Sequence, residues 1–304
     1  FNGKRLWKKL IGQAILGEVH QIDAYRNKKL QYIFNTRDSI YLIDRNGEYV
    51  PPFPIKTKKS MSLPIALFDY DNNRHYRILA TMGSEMNMYD QKGNLVVGWE
   101  FRNTKSDILL TPQHYQLFKK DYIVISEKNG QTHLLNRKGQ KRVEVMQQIN
   151  RSNNKLHLIK GSTLQNSKLI TTNENGQLVY INFNGSVEIS DIQNLKNNDI
   201  YITNNDHTMI LKGKKLIFSN EKNKFEYSFT TQPLTTPKVF SYNDTTLIGI
   251  HNKTENLIYL LDEKGQLYNN PFFSTTDFDI IKYENKMHLI NGSSEGIIYN
   301  YLIN

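Results

Sequence analysis

YLIDRNGEYV, Tyr41 to Val50, alternates apolar positions into a polar turn that ends on Asn46-Gly47, after which the chain starts outward again. That is the pattern of two antiparallel strands joined by a tight reversal. Its glycine recurs as Gly93, Gly139 and Gly185, each 46 residues after the last. Three residues before each stands a short polar residue, Asp44, Asp90, Asn136 and Asn182, and before that an apolar strand: IYLI, MNMY, THLL and LVYI. In D-x-x-G the Asp or Asn accepts hydrogen bonds from nearby backbone amides, and the glycine takes the left-handed conformation that other residues reach only at a cost. A fifth copy, KLIFSNEKN, keeps Asn220 and puts Asn223 where the glycine stood, and a sixth, IYLLDEKG, restores Asp262 and Gly265.

Upstream of each hairpin lie two further apolar runs, such as YRILAT at 76–81 preceded by PIALFDYD, or DYIVIS at 121–126 preceded by HYQLFKK. With the strand after the glycine this makes four strands every 38 to 46 residues. Antiparallel units of that period stack on one another to cover their faces, as the blades of a β-propeller do. The terminal MHLINGSSEGIIYNYLIN is a seventh copy. The expectation is an all-β, seven-bladed propeller over residues 1–304 as a single domain, with blades near 18–56, 63–102, 111–150, 155–190, 198–230, 236–274 and 277–304. Asn304 aligns with Asp44 and its kin, and Phe1-Asn2-Gly3 supplies the rest of that turn. Residues 1–10 are therefore expected to be the outer strand of the seventh blade, closing the ring without an open sheet edge.

Composition narrows the class. Tyr (18) and Phe (14) are plentiful among short Ile, Leu and Val clusters separated by polar turns, the texture of strands. No run approaches the roughly 18 to 20 apolar residues of a membrane helix, and the chain starts at Phe1 with neither an initiator Met nor a signal peptide, as a piece of a longer chain would. Cysteine is absent, which removes disulfides and thiolate chemistry. The net charge of +10 comes from basic residues scattered through turns with Asn, Asp and Glu; the one dense cluster, Lys4, Arg5, Lys8 and Lys9 around Trp7, suits a charged edge strand, so nucleic acid is not the expected partner.

The strand, D-x-x-G turn and following aromatic, in Gly3 to Trp7, Gly47 to Phe53 and Gly93 to Trp99, resemble the PQQ-like, YVTN-type and WD40-like propeller repeats of bacterial envelope proteins. More narrowly, GEVHQIDAYRNKKLQYIFNTRDSIYLIDRNG, FDYDNN, PQHYQLFKKDYIVISEKN and IIYNYLIN are similar to the C-terminal region of large uncharacterised exported proteins of flavobacteria and other Bacteroidetes. The resemblance implies a periplasmic or envelope-associated setting and carries no activity with it.

Quinoprotein propellers hold their cofactor with stacked tryptophans, calcium and often a cysteine pair; here Trp7 and Trp99 share one post-glycine position, which suits packing between blades. Asp69, Asp71 and Asn73 open like a D-x-D-x-N calcium loop, but Arg74 stands where a glycine should turn the chain, which favours an Asn-rich turn over calcium. None of the eight histidines forms an H-x-H or H-x-x-x-H pair. His20 with Asp23, and Gln113 with His114, fall on expected innermost strands and are read as channel-lining groups open to a ligand or partner. Tyr49 and Phe53, with Pro51 and Pro52, are candidate contacts for a partner, against a competing and favoured use in covering blade edges. The expected function is a non-catalytic docking module for a protein partner or for the rest of its parent polypeptide, with no cofactor; the alternative is a degenerate PQQ-like or hydrolase-type propeller with a polar pocket at the channel.

Overall fold

The hairpin glycines of the repeat all take the left-handed backbone that the sequence demands: φ is 87° at Gly47, 85° at Gly93, 78° at Gly139, 94° at Gly185 and 80° at Gly265. In the computed structural model, which describes residues 7–191, 195–232, 234–242, 245–283, 286–292 and 298–303, Asp44 Oδ1 accepts from the Asn46 and Glu48 amides at 2.8 and 2.9 Å. Asp90, Asn136 and Asp262 do the same in their own turns. Blade five departs from this. Its turn is one residue shorter, the Asn220 amide donates to Asn223 O at 2.9 Å, and Asn223 is not in the left-handed region, so no glycine is needed there.

Seven sheets follow one another along the chain, each an antiparallel meander of neighbouring strands. Blade one is Leu16–Ile22, Gln31–Asn35, Ser39–Ile43 and Ile55–Lys56; blade three is Gln113–Leu117, Lys120–Ser126, Thr132–Leu135 and Lys141–Val143; blade four is His157–Ile159, Lys168–Thr172, Leu178–Asn182 and Val187–Ser190. Blade five is Ile200–Thr203, His207–Lys212, Lys215–Asn220 and Lys224–Ser228, and blade six is Lys238–Tyr242, Thr245–Asn252, Leu257–Leu261 and Phe272–Phe273. Among the described residues, two blades show three strands instead of the expected four: blade two (Ala66–Phe68, Arg77–Met82, Glu85–Asp90) and blade seven (Phe278–Tyr283, Lys286–Gly292, Ile298–Ile303). In blade two the fourth segment still bonds to the third strand, through Val96 N to Met88 O and Met86 N to Arg102 O at 2.9 Å each, but the chain turns out between them at Val97-Gly98. No described residue is in an α-helix.

By packing, the chain divides into two units, residues 1–169 with 179–189 and residues 170–178 with 190–304, and the division passes through blade four. Within each unit the apolar faces of consecutive blades meet. Ile33, Ile40 and Leu42 of blade one lie against Ile78 and Ala80 of blade two, and Met209 and Phe218 of blade five lie against Ile248 and Leu261 of blade six, all essentially closed to solvent. Strands whose second and third members are covered on both faces need the near-continuous apolar runs that the sequence shows.

Each hairpin glycine also lies beneath the blade before it. A Cβ built on Gly93 would come within 2.6 Å of Ile55, on Gly139 within 3.1 Å of Trp99, on Gly185 within 1.9 Å of Glu144 O, and on Gly265 within 2.6 Å of Phe225. Over Gly47 the same place is filled by Trp7, whose ring would lie 2.8 Å from such a Cβ and whose Nε1 donates to Arg45 O at 2.9 Å. The segment at Trp7 thus stands over blade one where a preceding fourth strand stands over the other hairpins. Phe1 to Gly3 and Asn304, on which the expected closure rests, lie outside the described residues.

Candidate functional site

Asp23 and Asp69 are 46 residues apart and directly follow the first strands of blades one and two, where each anchors the same turn. Asp23 accepts from the amides of Asn27 and Lys28, both at 2.9 Å; Asp69 accepts from Asn73 and Arg74 at 3.0 and 2.8 Å. The carboxylate makes possible the left-handed residues that follow, Arg26 and Lys28 in one copy and Asn72 and Arg74 in the other. Asp23 is buried, just beyond its strand rather than on it, and Arg74 Nη1 reaches it at 2.9 Å, joining the two turns. The loop that opens like a calcium site is therefore the second copy of a turn motif. Asn73 Oδ1 accepts from the His75 amide at 3.1 Å, and Asp71 faces Arg137. Among the described residues no three His, Asp or Glu side chains are grouped to hold a metal ion.

Arg137, in the blade-three hairpin, organises the next part of this face. Its guanidinium is forked onto Asp71 at 2.9 and 2.6 Å, while Nε lies 2.5 Å from Asp121 Oδ2. Asp121 is buried, and its other oxygen lies 2.8 Å from His114 Nε2. Tyr70 sits between, with Arg137 over its ring at 4.9 Å and the His114 ring against its edge at 4.9 Å. The forked bond from Arg137 lowers the pKa of Asp71, and Asp71 in turn raises that of Arg137; burial pushes the Tyr70 phenol far above its usual value. A second imidazole is held alike: His133 Nε2 lies 2.6 Å from Glu127 Oε1, whose Oε2 accepts from the Ser106 amide at 2.7 Å. His114 and His133 are thus each tied to a buried carboxylate.

The remaining residues singled out from sequence are dispersed. Gln113 Nε2 donates to Leu156 O at 3.0 Å and its Oε1 accepts from Leu156 N at 3.1 Å, so it stitches blade three to the chain leading into blade four. His20 is half-buried opposite Ile33. Phe53 is 4% exposed and belongs to the core between blades one and two, so it covers the blades and is not available as a partner contact; Tyr49 is half-buried, packed by Tyr41 and by Lys9 over its ring.

Beside Arg137 opens a cavity of about 380 Å3, lined by Tyr70, Arg77, Trp99, Arg137 and Lys138, with the Val96–Gly98 turn at its edge. On that turn Val97 is 99% exposed and Leu95 60% exposed. Sequence reading missed Arg137, Asp121 and this turn. The repeat of Asp23 at Asp69 was the available signal for the face; partners of Arg137 lie up to 67 residues away and left none.

No family model matches the chain, and no curated protein does. Solved structures do. A structure of BBS1N in complex with ARL6DN, soaked with mercury, is similar with a TM-score of 0.66 at 11% identity, covering 96% of this chain and 93% of that one. The chain is a seven-bladed β-propeller. Kluyveromyces lactis Hsv2 is similar with a TM-score of 0.50 at 10% identity, over 90% of this chain and 94% of that one. At such identities the likeness speaks for the propeller fold alone.

Proposed function

We propose that this propeller is a non-catalytic recognition module of a larger exported, envelope-associated bacterial protein, and that it docks a protein partner on the face formed by its first-to-second and third-to-fourth strand turns. The observation that carries the reading is the Leu95–Gly98 turn of blade two. It leaves the sheet where the fourth strand should continue and holds Val97 wholly in solvent beside a cavity with donors at its wall. A projecting apolar tip next to a rigid polar recess is how a scaffold presents a contact, and loops carried on stiff sheets are the usual place for it. The ion pairs of Arg137 with Asp71 and Asp121, and His114 on Asp121, stiffen that face. BBS1N, a propeller neighbour crystallised with the protein ARL6DN, is an example of this fold engaging a protein. The exported setting rests on the resemblance in sequence.

The test uses the full-length parent with Leu95→Asp and Val97→Asp together. Both positions are exposed, so the melting midpoint should stay within a degree or two. Recovery of the bound partner should fall at least tenfold, whereas undiminished recovery would contradict the reading.

A further inference from the structure

Blades five and six enclose a cavity of about 520 Å3 at the corresponding turns. Its floor is apolar, with Met209 and Phe218 closed to solvent beneath it and Ile202 and Val239 at the sides. Around it stand Asp206 and Glu263, with His207 between the strand turns, and no lysine or arginine lines it. In a chain of net charge +10 this is a local reversal of sign. Asp71, Asp121 and Glu127 are paired with basic side chains; Asp206 and Glu263 have no ion-pair partner among the described residues. Glu263 Oε1 accepts from Asn220 Nδ2 at 2.9 Å, which fixes the carboxylate at the cavity while its second oxygen carries no hydrogen bond among the described residues. Burial lowers the pKa of His207, against the pull of Asp206 and Glu263, so the imidazole adds no positive charge near neutral pH.

We infer that this pocket receives a lysine or arginine side chain presented by the docked protein, an inference that rests on the recognition reading above. An apolar floor beneath two unpaired carboxylates matches a methylene stem that ends in a cation. The volume exceeds one side chain, so the flanking peptide groups enter too, within reach of Asn204 and Ser241 at the rim.

The chain is titrated with Nα-acetyl-lysine N-methylamide, with its uncharged norleucine counterpart, and with cadaverine, following the His207 ring signals by NMR and the heat by calorimetry. The lysine amide is expected to shift His207 and the norleucine amide to leave it still. Glu263→Gln keeps an oxygen for Asn220, and Asp206→Asn leaves the turn's backbone bonds in place; each should weaken the lysine amide about tenfold, as loss of one charged hydrogen bond does. Equal binding of the norleucine amide, or no shift at His207 in excess lysine amide, would overturn the inference. Tighter binding of cadaverine than of the lysine amide would assign the pocket to a free diamine and overturn it as well. Any of these failures leaves the Leu95 and Val97 test standing on its own result.

Discussion

At the scale of the residue, the chemistry of this chain is dominated by paired charges. Arg137 holds Asp71 at the surface and Asp121 below it, and its removal leaves the buried Asp121 carboxylate with His114 alone. Arg137→Ala should therefore cost about 3 kcal/mol in denaturant unfolding, and Arg137→Lys should recover little of it, because an ammonium cannot span both carboxylates as a fork does. Glu127 gives a pH signature. Burial alone would raise its pKa, but His133 and the Ser106 amide outweigh burial and leave it below the usual value. A carboxyl lowered on folding stabilises fully above its unfolded pKa and loses that contribution as pH falls through the folded one. The melting midpoint should fall as pH drops below about 4.5, less steeply in Glu127→Gln, which a pH series of thermal melts will show. These pairs were not legible beforehand. Asp44 and Asp69 could be read as turn anchors because the turn is local, whereas Arg137 finds Asp71 across 66 residues and only the stacking of blades brings them together.

At the scale of the element, the D-x-x-G hairpin carried almost all of the fold's information. Its spacing announced the blades, and its glycine does two jobs, turning the chain and leaving room for the blade before it. Gly185→Ala should cost at least about 1–2 kcal/mol from the left-handed backbone alone, and more because the new Cβ would meet Glu144 O at 1.9 Å. Blade five shows the limit of the pattern: Asn223 aligned with the glycines, yet a turn shorter by one residue places it in ordinary backbone. Phe53 shows another, since an aromatic after the glycine reads equally well as tip or core until the neighbouring blade is in view. Trp7 belongs with the covering residues. Trp7→Ala should strip the lid from Gly47 and lower the melting midpoint by several degrees, with the Arg45 carbonyl also losing its donor. An unchanged midpoint would remove Trp7 from that role.

At the scale of the whole molecule, a repeating fold with scattered positive charge offers few places where the pattern breaks, and those places are where function is sought. Blade two turns outward at Val97-Gly98 instead of completing its fourth strand, and the cavity of blades five and six reverses the prevailing sign of charge. The calcium reading belongs at this scale as well: with Asp69 and Asn73 accepting from backbone amides and Asp71 held by Arg137, calorimetry with calcium should show no heat of binding. The most direct measurement places a photo-crosslinking benzoyl-phenylalanine at Val97 of this chain, and in parallel at Asn129, an exposed residue on a second-to-third strand turn at the opposite end of its sheet. A discrete protein adduct at Val97 and none at Asn129 is the predicted result; the same adducts at both, or none at Val97, would contradict recognition by this face.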